Sequence, residues 1–242
     1  MLALAVRNRM TGLLALFSIL LAGASLTFTY LTPGTERRTF FDMAYLGLEL
    51  LAVLTPILAS TSLQILEFDQ KTSWLVLARP ITRPSYVWGR CGGVVGAAWI
   101  NIILASLVVL ILVFLMGGGI EPYFLPVFLS ALMESVIIGA LACLATFVTT
   151  SYVTALVVMS GVVLLGYLSP TLMFLATKAG NPIMAGLIWG IYWLLPHLSG
   201  YSVRDFIEAP EAWYLAMLTG YALTYSGAVV MAAIMVFRRR EV

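Results

Sequence analysis

Two carboxylates stand in stretches that are otherwise free of charge. Glu49 is the single charged residue between Met43 and Leu66, and Glu134 the single one between Pro122 and Thr177. An ionised carboxylate is costly inside a bilayer, so each is expected to face protein or a water-filled cavity. The chemistry open to such a group is that of a substrate or cation pathway. The alternative is a protonated or hydrogen-bonded contact between helices. Asn101, in the uncharged run Cys91 to Ile120, reads as a helix–helix hydrogen bond.

Other chemistries find little to work with. His197 is the one histidine, so no multi-histidine metal site exists, and there is no Cys-x-x-Cys. Cys91 and Cys143 are too few for a disulfide framework and read as packing thiols. The two lysines, Lys71 and Lys178, follow Gln70 and Thr177, so the chain has no Gly-x-x-x-x-Gly-Lys phosphate loop. Ser160-Gly161 with His197 as base would be the elements of an intramembrane hydrolase. Ser160, however, lies in a plain apolar run behind Val158 and Met159, where a small residue at a helix contact is the simpler reading. No catalytic residue, metal ligand or cofactor site is assigned to this chain.

The elements that must position these groups follow from composition. Of the 242 residues, 62% are hydrophobic and 10% charged, against about 45–50% and 25% in a soluble domain. That excess excludes a disordered chain, a disulfide scaffold and a soluble nucleic-acid binder, and makes the lipid bilayer the main solvent. Uncharged runs place spans at roughly 11–31, 43–65, 91–116, 123–148, 153–176 and 212–237, with Thr149-Thr150-Ser151-Tyr152 dividing the fourth from the fifth. Arg7, Arg9 and Ala22-Gly23-Ala24 have the form of a signal peptide, but the apolar run continues to Leu31, so an uncleaved first span is expected.

Residues 179–203 are also uncharged, yet broken by Gly180, Pro182, Gly186, Gly190, Pro196 and Gly200. Cytoplasmic loops are enriched in Lys and Arg, and this bias decides the count of crossings. Six crossings put Arg7, Arg9, Lys71, Arg79, Arg83, Arg90, Arg238, Arg239 and Arg240 inside, and Arg37, Arg38, Lys178 and Arg204 outside, 9 against 4. Seven crossings give 7 against 6. The expected fold is therefore a single all-α integral membrane domain over 1–242. It has six transmembrane helices, both termini inside, and a re-entrant outer hairpin at 179–203 between helices five and six. Glu49 and Glu134 then fall in the outer halves of spans two and four. Gly92-x-x-x-Gly96 and Gly186-x-x-x-Gly190 would allow close helix approach. Tyr192, Trp193, Tyr201 and Trp213 read as an interfacial belt.

The largest inner loop, 66–90, is unusual for a loop. Leu66, Trp74, Leu75, Val76 and Leu77 alternate with charges before Pro80, a pattern that predicts a short amphipathic helix stopped by proline. An aromatic and several aliphatics in an exposed loop mark a surface that meets a partner.

This stretch resembles the signature of the type-two ABC-transporter permeases, the export-class membrane subunits. Glu67, Thr72, the turn Arg79-Pro80-Ile81-Thr82-Arg83 and Gly89-Arg90 occur in the family's order. Leu194-Leu195-Pro196-His197-Leu198-Ser199 is similar to the Leu-Leu-Pro-Asn-Leu turn before the family's last span, with His197 in the Asn place; Lys71 stands where Gly is common. In style the chain looks most like the permease of the nitrous-oxide reductase maturation transporter. The resemblance implies a multi-pass protein of the cell's inner (cytoplasmic) membrane that pairs with a second copy through spans one and five. It also implies two separate ATPase subunits that carry ATP and Mg, dock on the short cytoplasmic helix and drive export. Under it, Glu67, Asp69, Thr72, Trp74, Arg79, Pro80 and Arg83 are the docking residues, Glu49 and Glu134 a candidate pathway, and Pro196 and His197 the re-entrant turn. Work on an extracytoplasmic accessory protein without solute transport is the alternative within that class.

Overall fold

The computed structural model describes residues 23, 36–70, 82–115, 119, 121–179, 181–203 and 210–239. Most of the expected first span, 11–31, and residues 71–81 of the inner loop lie outside the described residues. What is described is all-helical: α1 (Glu36–Gln70), α2 (Arg83–Leu115), α3 (Phe124–Val148), α4 (Tyr152–Tyr167), α5 (Ser169–Lys178), α6 (Pro182–Leu194), a 3-10 turn (Leu198–Tyr201) and α7 (Ala212–Arg239). Among them α1, α2, α3 and α7 are each long and apolar enough to cross a membrane, and α4 with α5 makes a fifth if the bent pair counts as one span. These helices are those of a multi-pass membrane protein.

α3 is the hub, packing against α1, α2, α4 and α7. Its buried side includes Gly139, Ala140, Ala142, Cys143 and Ala145, and small side chains let neighbouring backbones approach where lipid offers no competing hydrophobic drive. Side-chain bonds fix the directions. Ser60 Oγ lies 3.4 Å from Thr146 Oγ1, while Gln64 Nε2 donates to the carbonyls of Thr146 and Thr149 at 3.3 and 3.2 Å. The pairing advances in the same sense on both helices, so α1 and α3 run parallel. Trp99 Nε1 donates to Leu132 O at 3.2 Å and Arg90 Nη2 to Thr146 Oγ1 at 3.2 Å, so α2 runs antiparallel to α3.

One tight crossing lies outside the Gly-x-x-x-Gly patterns. A Cβ at Gly92, Gly186 or Gly190 would meet nothing within 4 Å, whereas one at Gly139 would stand 2.8 Å from Val95 Cγ2. Gly139→Ala is expected to cost about 1–2 kcal/mol through overpacking. Val95→Ala in the same chain should recover much of it, because the clash is with a methyl and not with backbone. Thermal unfolding of the two variants in detergent checks this, and equal destabilisation with and without the Val95 change would refute the crossing.

Two elements depart from the expected layout. The fifth span is not one straight helix: α4 and α5 meet at Leu168 with a bend of 65°. Pro170 sits in the first turn of α5, where its missing N–H interrupts no bond. The hairpin also starts earlier than residue 179. α5 packs against α6, so its first arm is the second half of the expected fifth span. α6, 13 residues long, reaches about 20 Å and falls short of the roughly 30 Å hydrocarbon core. Asn181 caps it, accepting from Ile183 N at 3.0 Å. The rest of the segment turns back into the bundle, burying Leu195, Leu198, Tyr201 and Val203.

Candidate functional site

Glu49 and Glu134 come together. Glu49 lies 13 residues into α1 and Glu134 10 residues into α3; the helices are parallel, so the two carboxyls stand at similar depth. Both line one small cavity with Tyr45, Val127, Ser130, Ala131, Tyr201 and Val203. Its volume is about 10 Å3, close to that of a single water site.

The two carboxyls sit in different surroundings. Glu134 is fully buried. Tyr167, the last residue of α4, donates its hydroxyl to Glu134 Oε1. Oε2 is buried without a hydrogen-bond partner. Glu49 is half-buried and accepts the hydroxyl of Ser202. Tyr45, one helical turn before Glu49, is 3% exposed, and its hydroxyl also has no partner. Ser130, one turn before Glu134, donates to Val127 O at 2.8 Å. Its lone pairs remain able to accept.

The turn 195–203 roofs this cavity. Leu198 is fully buried, and the turn rests on α3, α4 and α5. Tyr201 donates to Leu218 O at 2.7 Å, Tyr214 to Gly200 O at 3.0 Å, and Ser169 and Ser199 lie 3.1 Å apart. Tyr201 is 1% exposed and so is part of the core, not of an interfacial belt; Trp193 and Trp213 are exposed. His197 belongs to this roof. Its backbone N–H donates to Tyr221 Oη at 3.1 Å and its Nδ1 lies 3.2 Å from the same oxygen. Ser160 is exposed on α4, and no hydrogen bond joins it to His197. Pro196 is buried beside His197, its carbonyl accepting from Leu198 N at 3.1 Å.

The residues expected to dock a partner are spread differently. Glu67 and Asp69 lie in the last turns of α1, continuous with the expected second span; their side chains lie outside the described residues. Thr72, Trp74, Arg79 and Pro80 lie outside the described residues altogether. Arg83 opens α2, and its Nη1 donates to Arg238 O at 3.1 Å. The start of α2 and the end of α7 therefore share one end of the bundle. Near that end Arg90 is 2% exposed, bonded to Thr146 and placed 4.8 Å from the centre of the Phe147 ring. It is a buried structural cation, not a lipid-facing anchor. Asn101 does not make the helix–helix bond expected of it: its Nδ2 is buried without a partner.

Sequence reasoning passed over Tyr45, Ser130, Tyr167, Tyr201 and Ser202. For the first two a signal was present, since each precedes a glutamate by four residues and so shares its helix face. The others arrive from distant segments, and no spacing announces them.

Compared with models of protein families and with curated proteins, the chain matches none.

Proposed function

We propose that this chain is the membrane-spanning permease subunit of an ABC transporter, working as a pair and coupled to two separate ATPase subunits. The observation that carries the reading is the stretch Glu67 to Arg83, with its acidic start, its Trp74 and its Arg79-Pro80-Ile81-Thr82-Arg83 turn. Around it stand a bundle of apolar helices and no phosphate loop. The chain supplies no nucleotide site of that kind, so work must enter from another subunit, and this stretch is the long inner connection on which force could be received. Two features of the bundle support the reading. The segment emerges at the end where Arg83 meets the tail of α7, so docking there would bear on α1, α2 and α7 together. α4 and α5 also turn Val157, Leu164 and Phe174 outward, an apolar face suited to lipid or to a second copy. Rigid-body tilting of the spans would then follow closure of the ATPase pair.

The test is purification of the chain from its native membrane in mild detergent. The expected result is a stoichiometric ATPase subunit whose hydrolysis is inhibited by vanadate. A pure, folded chain with no ATPase under several mild detergents would overturn the reading. Reconstituted vesicles then separate solute export from work on an extracytoplasmic protein.

Six crossings with both termini inside carry their own prediction. Arg240→Cys should resist a membrane-impermeant maleimide added to intact cells, and Glu36→Cys should react. The native thiols, Cys91 and Cys143, are both buried and should stay silent. Labelling at 240 from outside would remove the six-span topology.

A further inference from the structure

We propose that the cavity between α1, α3 and the 195–203 turn binds one small monovalent cation, hydronium or Na+, held by Glu134 and Glu49 with the Tyr45 hydroxyl. The inference does not need the ATPase reading; it stands on the cavity itself.

The first ground is a pair of unused polar atoms. Glu134 Oε2 and Tyr45 Oη belong to residues 0% and 3% exposed, neither has a hydrogen-bond partner, and both residues line the same cavity. A buried polar group left unpaired costs about 1–3 kcal/mol, so folds seldom retain two at one spot without a ligand for them. The atoms also differ in kind: one is an acceptor and the other a hydroxyl that can donate or accept. A centre that donates to Glu134 and takes a lone pair from Tyr45 satisfies both.

Charge and size narrow the ligand. Two carboxyls face a cavity in apolar surroundings, which favours a positive occupant over a neutral or negative one. Room for about one water molecule, at about 10 Å3, suits a small ion. It also disfavours Mg2+, which keeps several waters, and Ca2+, which takes six to eight oxygens. Among the described residues no group of three His, Cys, Asp or Glu side chains converges, so a transition-metal set is not built there either. A single hydronium or Na+ uses what is present: Glu134 Oε2, the Glu49 carboxylate, Tyr45 Oη and a lone pair of Ser130 Oγ. Among the described residues the titratable groups facing Glu134 are Glu49 and Tyr45 on α1, Tyr167 on α4 and Tyr201 on the turn, all of them acids.

The experiment uses the full-length chain in nanodiscs without any ATPase, so its outcome is independent of the transporter reading. Binding of radiolabelled Na+ is measured near pH 8, and the infrared carboxyl band that vanishes in Glu134→Gln is followed from about pH 5 to 9, a range that buried glutamates can reach. If Na+ is the ligand, one ion binds per chain, acid displaces it, Glu134→Gln abolishes it, and Tyr45→Phe weakens it about tenfold, the loss of one contact to a charged centre. If the proton is the cation taken up, no Na+ binds, but the Glu134 band titrates within that range as hydronium in the cavity passes its proton to the Glu134 carboxylate and leaves a water behind, and its midpoint moves in Tyr45→Phe and in Glu49→Gln. Tyr45→Phe keeps the ring and should fold normally, as thermal unfolding would show. A carboxyl band that stays protonated throughout, with no Na+ bound, would make Glu134 a plain hydrogen-bonded contact to Tyr167 and overturn the proposal.

Discussion

If the chain is the permease subunit proposed above, Glu67→Arg combined with Trp74→Ala is expected to release its partner ATPase while leaving the chain folded and membrane-inserted. Glu67 lies in the last turns of α1, and Ser60 and Gln64 tie α1 to α3 only a turn or two earlier. A charge reversal beyond that anchor leaves these bonds between α1 and α3 untouched. Trp74 is an aromatic between charged residues of the 66–90 stretch, a residue type often found to dominate a protein–protein contact. Losing each should cost about 2 kcal/mol, roughly 30-fold in affinity per site. The two are close enough in sequence that the effects need not add. The measurement is the amount of ATPase retained on the immobilised permease, with thermal unfolding of the permease as the control. Full retention at unchanged hydrolysis would put the docking surface elsewhere on the chain.

What was legible in the sequence was set by how strongly one physical rule dominated. Hydrocarbon tolerates few charges, so α1, α2, α3 and α7 could be found from uncharged runs alone, and the two glutamates stood out against them. The bend at Leu168 was hidden because uncharged residues continue from α4 through α5; Gly166 and Pro170 mark it, and each is compatible with a straight helix in lipid. The convergence of Glu49 and Glu134 was hidden for a different reason. It depends on α1 and α3 running parallel at a shared depth, and that register is fixed by Ser60, Gln64 and Thr146, residues ordinary in type and 82 to 86 positions apart. Tyr201 misled outright: an aromatic near a span end normally seeks the interface, but here its hydroxyl finds Leu218 O and its ring fills the core. At Gly92, Gly186 and Gly190 no neighbour of this chain arrives within 4 Å of an added Cβ, because spacing alone does not bring one.

Gly166 is the position where a neighbour does arrive, and Gly166→Ala should be the most damaging one-carbon change in the turn region. An added Cβ would stand 2.9 Å from the carbonyl oxygen of Pro196 and 3.0 Å from Leu198 Cδ1. The leucine could rotate aside, but the carbonyl belongs to backbone that is pinned on both sides. Leu198 N donates to it at 3.1 Å, and the His197 N–H next to it is bonded to Tyr221. Relief therefore requires the whole turn to move away from α4, at a cost of about 2–3 kcal/mol, the upper part of the overpacking range. Leu198→Ala should not rescue it, in contrast to Val95→Ala at Gly139, because the obstructing atom is not a side chain. The turn carries Tyr201 and Ser202 over Glu134 and Glu49, so the same displacement should loosen the roof of the carboxylate cavity. Gly166→Ala is then expected to lower the unfolding temperature and to make Ser202→Cys react faster with a small thiol reagent than it does in the parent chain. Unfolding at the parental temperature, or rescue by Leu198→Ala, would mean that α4 and the turn are not packed backbone to backbone.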